Sequence, residues 1–214
     1  RGLGDVYKRQ GVGLTSACLG LVYALECQGV KAGFVKPFSQ ELVAEPDRTT
    51  ALYRHISKLD TVEPIAYTKI TQQLNDGETD ELLEEAVSLQ RQIAKSHDIV
   101  IVEGLVPTAR DAFASDLNAS LAQALDAKVI FVSNANIEKP EQTAEKVEAQ
   151  VRNFGGASSS RNAGVLFMRT RGLPAESAQI PVTIDPSLRL VADTEKFKTE
   201  IQKTHAHIGS AAFP

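Results

Sequence analysis

The sequence predicts an α/β fold: three layers, with a mostly parallel sheet carrying helices on both faces. Runs rich in β-branched residues, such as DIVIV at 98–102 and KVIFV at 128–132, suit strands covered on both faces. They alternate with segments whose apolar residues recur every three or four positions. That alternation implies βαβ units, right-handed crossovers and a parallel sheet. The third observation is GVGLTSACLGL at 11–21, a tight glycine turn running at once into a helix.

The elements follow in order. Leu14, Cys18, Leu21, Val22 and Leu25 share one helix face, and Gly29 can close that helix. KAGFVKPF is a short strand ended by Pro37, and residues 40–60 read as a loop with a short helix. From Thr79 to His97, apolar positions 82/83, 86/87 and 93/94 make an amphipathic helix. The strand DIVIVEG follows it, then the helix LNASLAQALD and a second buried strand, AKVIFVSNAN. Pro140 starts a helix with apolar residues at 144, 147, 151 and 154, and Gly155-Gly156 stops it. NAGVLFMRT is a third buried strand. Residues 171–192 read as irregular, 193–204 as helical and HAHIGSAAFP as a last strand.

The 214 residues suffice for one domain with a sizeable core, and 43% hydrophobic with 23% charged residues is ordinary for one. A net charge of −4 gives no global attraction to nucleic acid or anionic membrane. No apolar run approaches the roughly 20 residues of a membrane span. Cys18 and Cys27 lie too far apart on one helix to bridge, and both read as reduced thiols of a cytoplasmic protein. The first ten residues, RGLGDVYKRQ, carry no buried-strand pattern and are read as a non-native scar. The rest, 11–214, is read as one domain cut short at its carboxyl-terminal end.

Ligands of such sheets bind at the carboxyl ends of strands, where three segments are expected to converge. In GVGLTS, backbone N–H groups and a helix N-terminus suit phosphate, with Gly11, Gly13, Thr15 and Ser16 as candidate ligand-binding residues. Lys36 ends the second segment. Glu103 ends the third, where a metal-binding acid stands in phosphate-loop enzymes. The phosphate-loop lysine is missing, because Leu14 follows the second glycine. The cleft therefore suits anion binding better than phosphoryl transfer, where a loop cation supplies several kcal/mol. His205 and His207 form an HxH without a third ligand nearby and read as solvated residues.

VGLTSACLG, FVKPFSQ, VEGLVPT, FASDLNASLAQALDAKVIFV and FGG resemble the amino-terminal domain of long bacterial phosphate acetyltransferases. That domain is similar to dethiobiotin synthetase and so to phosphate-loop NTPases. The resemblance covers 11–214, and in the family a leucine after the second loop glycine is usual. It implies a full-length enzyme that moves an acetyl group between coenzyme A and phosphate. Catalysis is placed in a carboxyl-terminal domain absent from this sequence. The present domain would be a non-catalytic regulatory and assembly module, in a homo-oligomer, needing no cofactor and responding to a nucleotide or another anionic metabolite. By similarity to dethiobiotin synthetase, Thr15, Asp47 and Glu103 match metal-ligand positions and Lys36 a phosphate or substrate contact. Met168 stands where the family's relatives often have an asparagine near the nucleotide base, which disfavours specific adenine recognition, and no Mg²⁺ requirement is expected. The competing expectations are an ATP-dependent ligase of the dethiobiotin synthetase type and a non-enzymatic nucleotide-binding switch.

Overall fold

The computed structural model describes residues 13–42, 47–57, 61–134 and 140–168. Gly11, the proposed scar, His205, His207 and the elements expected after 170 lie outside those residues. The described chain is mixed α/β with parallel strands. In order come α1 (Leu14–Cys27), β1 (Ala32–Val35), α2 (Arg48–Ser57), α3 (Tyr67–Asp76), α4 (Thr79–Ala94) and β2 (Ile99–Val102). Then follow α5 (Ala114–Ala124), β3 (Val129–Asn134), α6 (Pro140–Asn153) and β4 (Asn162–Met168).

Two parallel pairs form the strands. β1 lies beside β2 in the register Ala32↔Ile99 to Val35↔Val102. The backbone N–H of Glu103 donates to the Val35 carbonyl at 2.9 Å, carrying the pairing one residue further. That bond sets the end of β2 against the end of β1, where Lys36 leaves the strand. β3 pairs with β4 from Val129↔Asn162 to Asn134↔Met168, with an irregularity after Val129.

The helices form for the reasons legible in their sequences, with one exception. α1 buries Cys18, Val22 and Leu25, and α4 buries Leu82, Ala86 and Ile93. α3 was not anticipated. Tyr67, Ile70 and Leu74 stand at helical spacing, only Ile70 of its ten residues is fully buried, and Gly77 in the left-handed region ends it. β2 also departs from expectation. Its burial is partial, and Ile99 is 42% exposed. Among the described residues its one strand partner is β1, so a run of four β-branched residues does not here mean enclosure on every side.

Two cores hold this together. Ile70, Leu82, Leu105, Leu117 and Leu121 gather where α3, α4 and α5 meet. Val22, Leu25, Phe34 and Tyr53 join α1, β1 and α2, with the Phe34 and Tyr53 rings stacked at 4.8 Å. Leu82, with no exposed surface, lies at the centre of the first. Leu82→Ala should therefore lower unfolding free energy by about 2–5 kcal/mol, read from the shift in denaturant midpoint at unchanged slope.

Candidate functional site

α1 begins abruptly. Gly13 is its N-cap at φ +85°, a left-handed conformation that glycine adopts without penalty. A Cβ there would also lie 3.3 Å from the side chain of Met168, at the end of β4. Gly13 is thus set by conformation and by close approach together. Met168 is buried against this turn, so its side chain covers the turn from the β4 side. Leu14 opens the helix proper, and the first turn of α1 carries no acidic residue.

Thr15 is the first residue whose side chain enters the cleft. Its Oγ1 donates to Glu103 Oε1 at 3.2 Å and lies 3.2 Å from Thr49 Oγ1. Thr49 Oγ1 also donates to Glu103 Oε1, at 3.3 Å. Ser16 is exposed and stands outside this network. The convergence expected from sequence is present for Thr15, Lys36 and Glu103, with Lys36 Nζ 4.0 Å from Glu103 Oε1.

Asp47 completes the cluster. Its Oδ2 accepts from Lys36 Nζ at 2.8 Å and from the Ser39 hydroxyl at 3.1 Å. Its Oδ1 accepts from the backbone N–H groups of Thr49 at 3.0 Å and Thr50 at 3.2 Å. Those two are the second and third N–H groups of α2, so Asp47 is its N-cap. One carboxylate therefore caps a helix and holds the ammonium at the end of β1.

Burial raises the Asp47 carboxyl, but the hydrogen bond and charge of Lys36, with Thr50 N–H and the Ser39 hydroxyl, hold it below the ordinary range. Glu103 goes the other way. Burial pushes it up to about 7, against Lys36, Thr15 and Thr49, and the nearby Asp47 charge adds to the rise. Its Oε2 is buried without a hydrogen-bond partner among the described residues. The Cys18 thiol is raised by its own burial and by the Glu103 charge, so it is an inert core group.

A phosphate-loop ancestry implies Mg²⁺, which Thr15, Asp47 and Glu103 would have to hold. A hydroxyl and two carboxylates are the hard oxygens Mg²⁺ prefers. Five donors, however, the Thr50 hydroxyl at 3.5 Å among them, already cover the lone pairs of Asp47. Lys36 places a positive charge between the two acids. Thr15, Asp47 and Glu103 do not fit the ion as they stand, and among the described residues no cluster of three metal-binding side chains occurs.

A second network, missed from sequence, fixes the loops around this one. Gln40 donates to the Val106 carbonyl at 3.0 Å and accepts from the Val106 N–H at 2.8 Å, joining the loop after β1 to the loop after β2. It also donates to Asp111, which is fully buried. Tyr67, Thr108 and Arg110 complete the shell of Asp111, and Arg110 lies over the Tyr67 ring. Burial raises the Asp111 carboxyl, but Arg110, Gln40, Tyr67 and Thr108 hold it at about 2. Asn118 clamps Leu105 through its N–H and C=O, both at 2.8 Å. The only sequence signal for this was a loop rich in Pro, Thr and Asp after a strand.

Two outcomes follow. A carboxyl whose native pKa exceeds its unfolded value binds more protons when folded, so Glu103 makes stability fall as pH rises from about 4.5 to about 7. Glu103→Gln should flatten that slope, worth up to about 3 kcal/mol, in urea melts across this window. A slope unchanged by the substitution would refute the assignment. Asp111→Ala should cost about 3 kcal/mol or more by leaving Arg110, Gln40 and Tyr67 without their shared acceptor. A loss below about 1 kcal/mol would mean the loops are held otherwise.

Comparison with known proteins places this geometry. A family described as an AAA domain matches residues 8–186. A phosphate acetyltransferase of Acinetobacter baylyi is 59% identical over 205 residues, 96% of this chain and 28% of its own length. The Haemophilus influenzae phosphate acetyltransferase is 36% identical over 207 residues, covering 94% of this chain and 28% of its own. That of Escherichia coli is 37% identical over 158 residues, 72% of this chain and 22% of its own. The chain thus spans about a quarter of the length of the curated relatives it matches. With most of its residues inside the family match, and a glycine turn leading into α1 beside the ends of β1 and β2, the chain belongs to the P-loop-related AAA-domain family.

Proposed function

We propose that the chain is the amino-terminal regulatory and assembly domain of a phosphate acetyltransferase, itself non-catalytic. The whole enzyme would convert acetyl-CoA and phosphate to acetyl phosphate and CoA, with catalysis in a carboxyl-terminal domain of the same polypeptide. In this reading the two strand pairs belong to one three-layer sheet, and the protein is a cytoplasmic homo-oligomer. One observation carries the non-catalytic part: the cleft cation, Lys36, is ion-paired to Asp47 at 2.8 Å while Leu14 leaves the loop uncharged.

Phosphoryl transfer develops extra charge in its transition state and needs cations placed to meet it. Lys36 has two of its three N–H donors directed at Asp47 and Thr49, the second at 3.4 Å. Among the described residues, one donor and the N-terminus of α1 remain for an anion. That suffices for moderate binding of a phosphate or carboxylate, and equal attraction to ground and transition state gives no catalysis. The effector is thus an anionic metabolite or nucleotide, and Met168 at the turn disfavours close recognition of adenine.

The purified chain should form acetyl-CoA from acetyl phosphate only at background rate, and Leu14→Lys should tighten ATP binding about tenfold by calorimetry without starting hydrolysis. Acetyl transfer by this chain would sink the division of labour. Mg²⁺-dependent ATP turnover by the unaltered chain would turn the reading toward a ligase. No heat from ATP, NADH or small phosphorylated or carboxylate metabolites would leave assembly alone.

A further inference from the structure

We propose that Lys36 is the resident cation of the cleft, an internal substitute for a divalent metal that keeps Mg²⁺ and Mn²⁺ out. The inference concerns the cleft before any anion arrives and is tested apart from the anion-binding reading above.

Three observations carry it. Lys36 Nζ lies 2.8 Å from Asp47 and 4.0 Å from Glu103, with side-chain exposures of 10%, 1% and 5% for the three residues. An ammonium between two buried carboxylates occupies the electrostatic role a metal would fill, and like charges at that distance repel an incoming cation. Asp47 cannot turn toward a metal without uncapping α2, because its Oδ1 holds the N–H groups of Thr49 and Thr50. Among the described residues, Glu103 Oε2 is the one carboxylate oxygen of this pair without a donor. A single open oxygen is too few for an ion that surrenders its water reluctantly.

The tether matters as much as the charge. Lys36 leaves the end of β1 one residue before Pro37, whose ring fixes its own φ and restricts the backbone of Lys36. The ammonium is delivered by the strand and does not depend on metal supply. Its removal should leave two uncompensated acids and a threonine hydroxyl, a set of hard oxygens that then does suit Mg²⁺ or Mn²⁺. A cryptic metal site is thus built into the cleft and closed by one side chain.

Mn²⁺ titration followed by electron paramagnetic resonance tests this, with Mn²⁺ alone as the probe. The unaltered chain should bind no Mn²⁺ at submillimolar concentration. Lys36→Met should gain at least about tenfold in Mn²⁺ affinity and be raised in melting temperature by Mn²⁺, and Lys36→Met/Glu103→Gln should lose both gains. Tight Mn²⁺ binding by the unaltered chain that Glu103→Gln abolishes would overturn the proposal, and that result needs no Lys36 variant to fold. A folded Lys36→Met chain, checked by circular dichroism, that gains nothing would overturn it equally. Failure of anion calorimetry would leave this result standing, so the two readings fail separately.

Discussion

The cleft depends on the ion pair between Lys36 and Asp47. Burying two charges is costly, and the pair persists because each is satisfied more than once. Asp47 takes the ammonium, a serine hydroxyl and two helix N–H groups, which together fill its acceptor sites. The same carboxylate starts α2 and immobilises the end of β1. Removing either charge would expose the other, so the end of β1 and the first turn of α2 rise or fall with this contact. Glu103 is drawn in from the neighbouring strand by the parallel register of β1 and β2, and Thr15 and Thr49 lie over it from two helices.

On the reading proposed above, this packing would let a phosphate-loop frame persist without phosphoryl chemistry. The glycine turn, the helix N-terminus and the strand-end acid all remain, and each is held by contacts internal to the chain. Gly13 is confined by φ and by Met168, Thr15 by Glu103, and Glu103 by Thr49 and Lys36. The charge that would meet a transferring phosphoryl group is absent at Leu14 and committed at Lys36. In that reading, a cleft built this way would keep its attraction for anions and have little capacity to discriminate a transition state. The Gln40 and Asp111 network makes the surrounding loops stiff, joining the loop after β1 to the loop after β2.

The strands and most helices were legible because periodicity and β-branched runs report local burial. Residues at strand ends, Lys36 and Glu103, could be singled out because ligand sites of parallel sheets collect there. Asp47 was reached only through resemblance, although DRTT carries an N-cap pattern that local reasoning had available. Thr49, Gln40, Asp111 and Asn118 were illegible for a physical reason. The contacts that tie them across the fold reach partners 13 to 71 residues away, along loops with no period, so nothing local marks that role. α3 was missed although Tyr67, Ile70 and Leu74 stand at helical spacing, because polar residues fill its other positions and only Ile70 is fully buried. β2 was read as fully enclosed because its composition reports strand propensity more faithfully than it reports how many neighbours the strand finds.

Asp47 holds the Lys36 ammonium inside the cleft. Nitrogen-15 NMR of the lysine ammonium groups reads this directly, because an exposed ammonium exchanges its protons with water quickly and a buried, hydrogen-bonded one does not. One lysine signal should persist near neutral pH, disappear in Lys36→Arg and weaken sharply in Asp47→Asn. A Lys36 ammonium that exchanges as fast as the exposed Lys69, or that is indifferent to Asp47→Asn, would contradict the account.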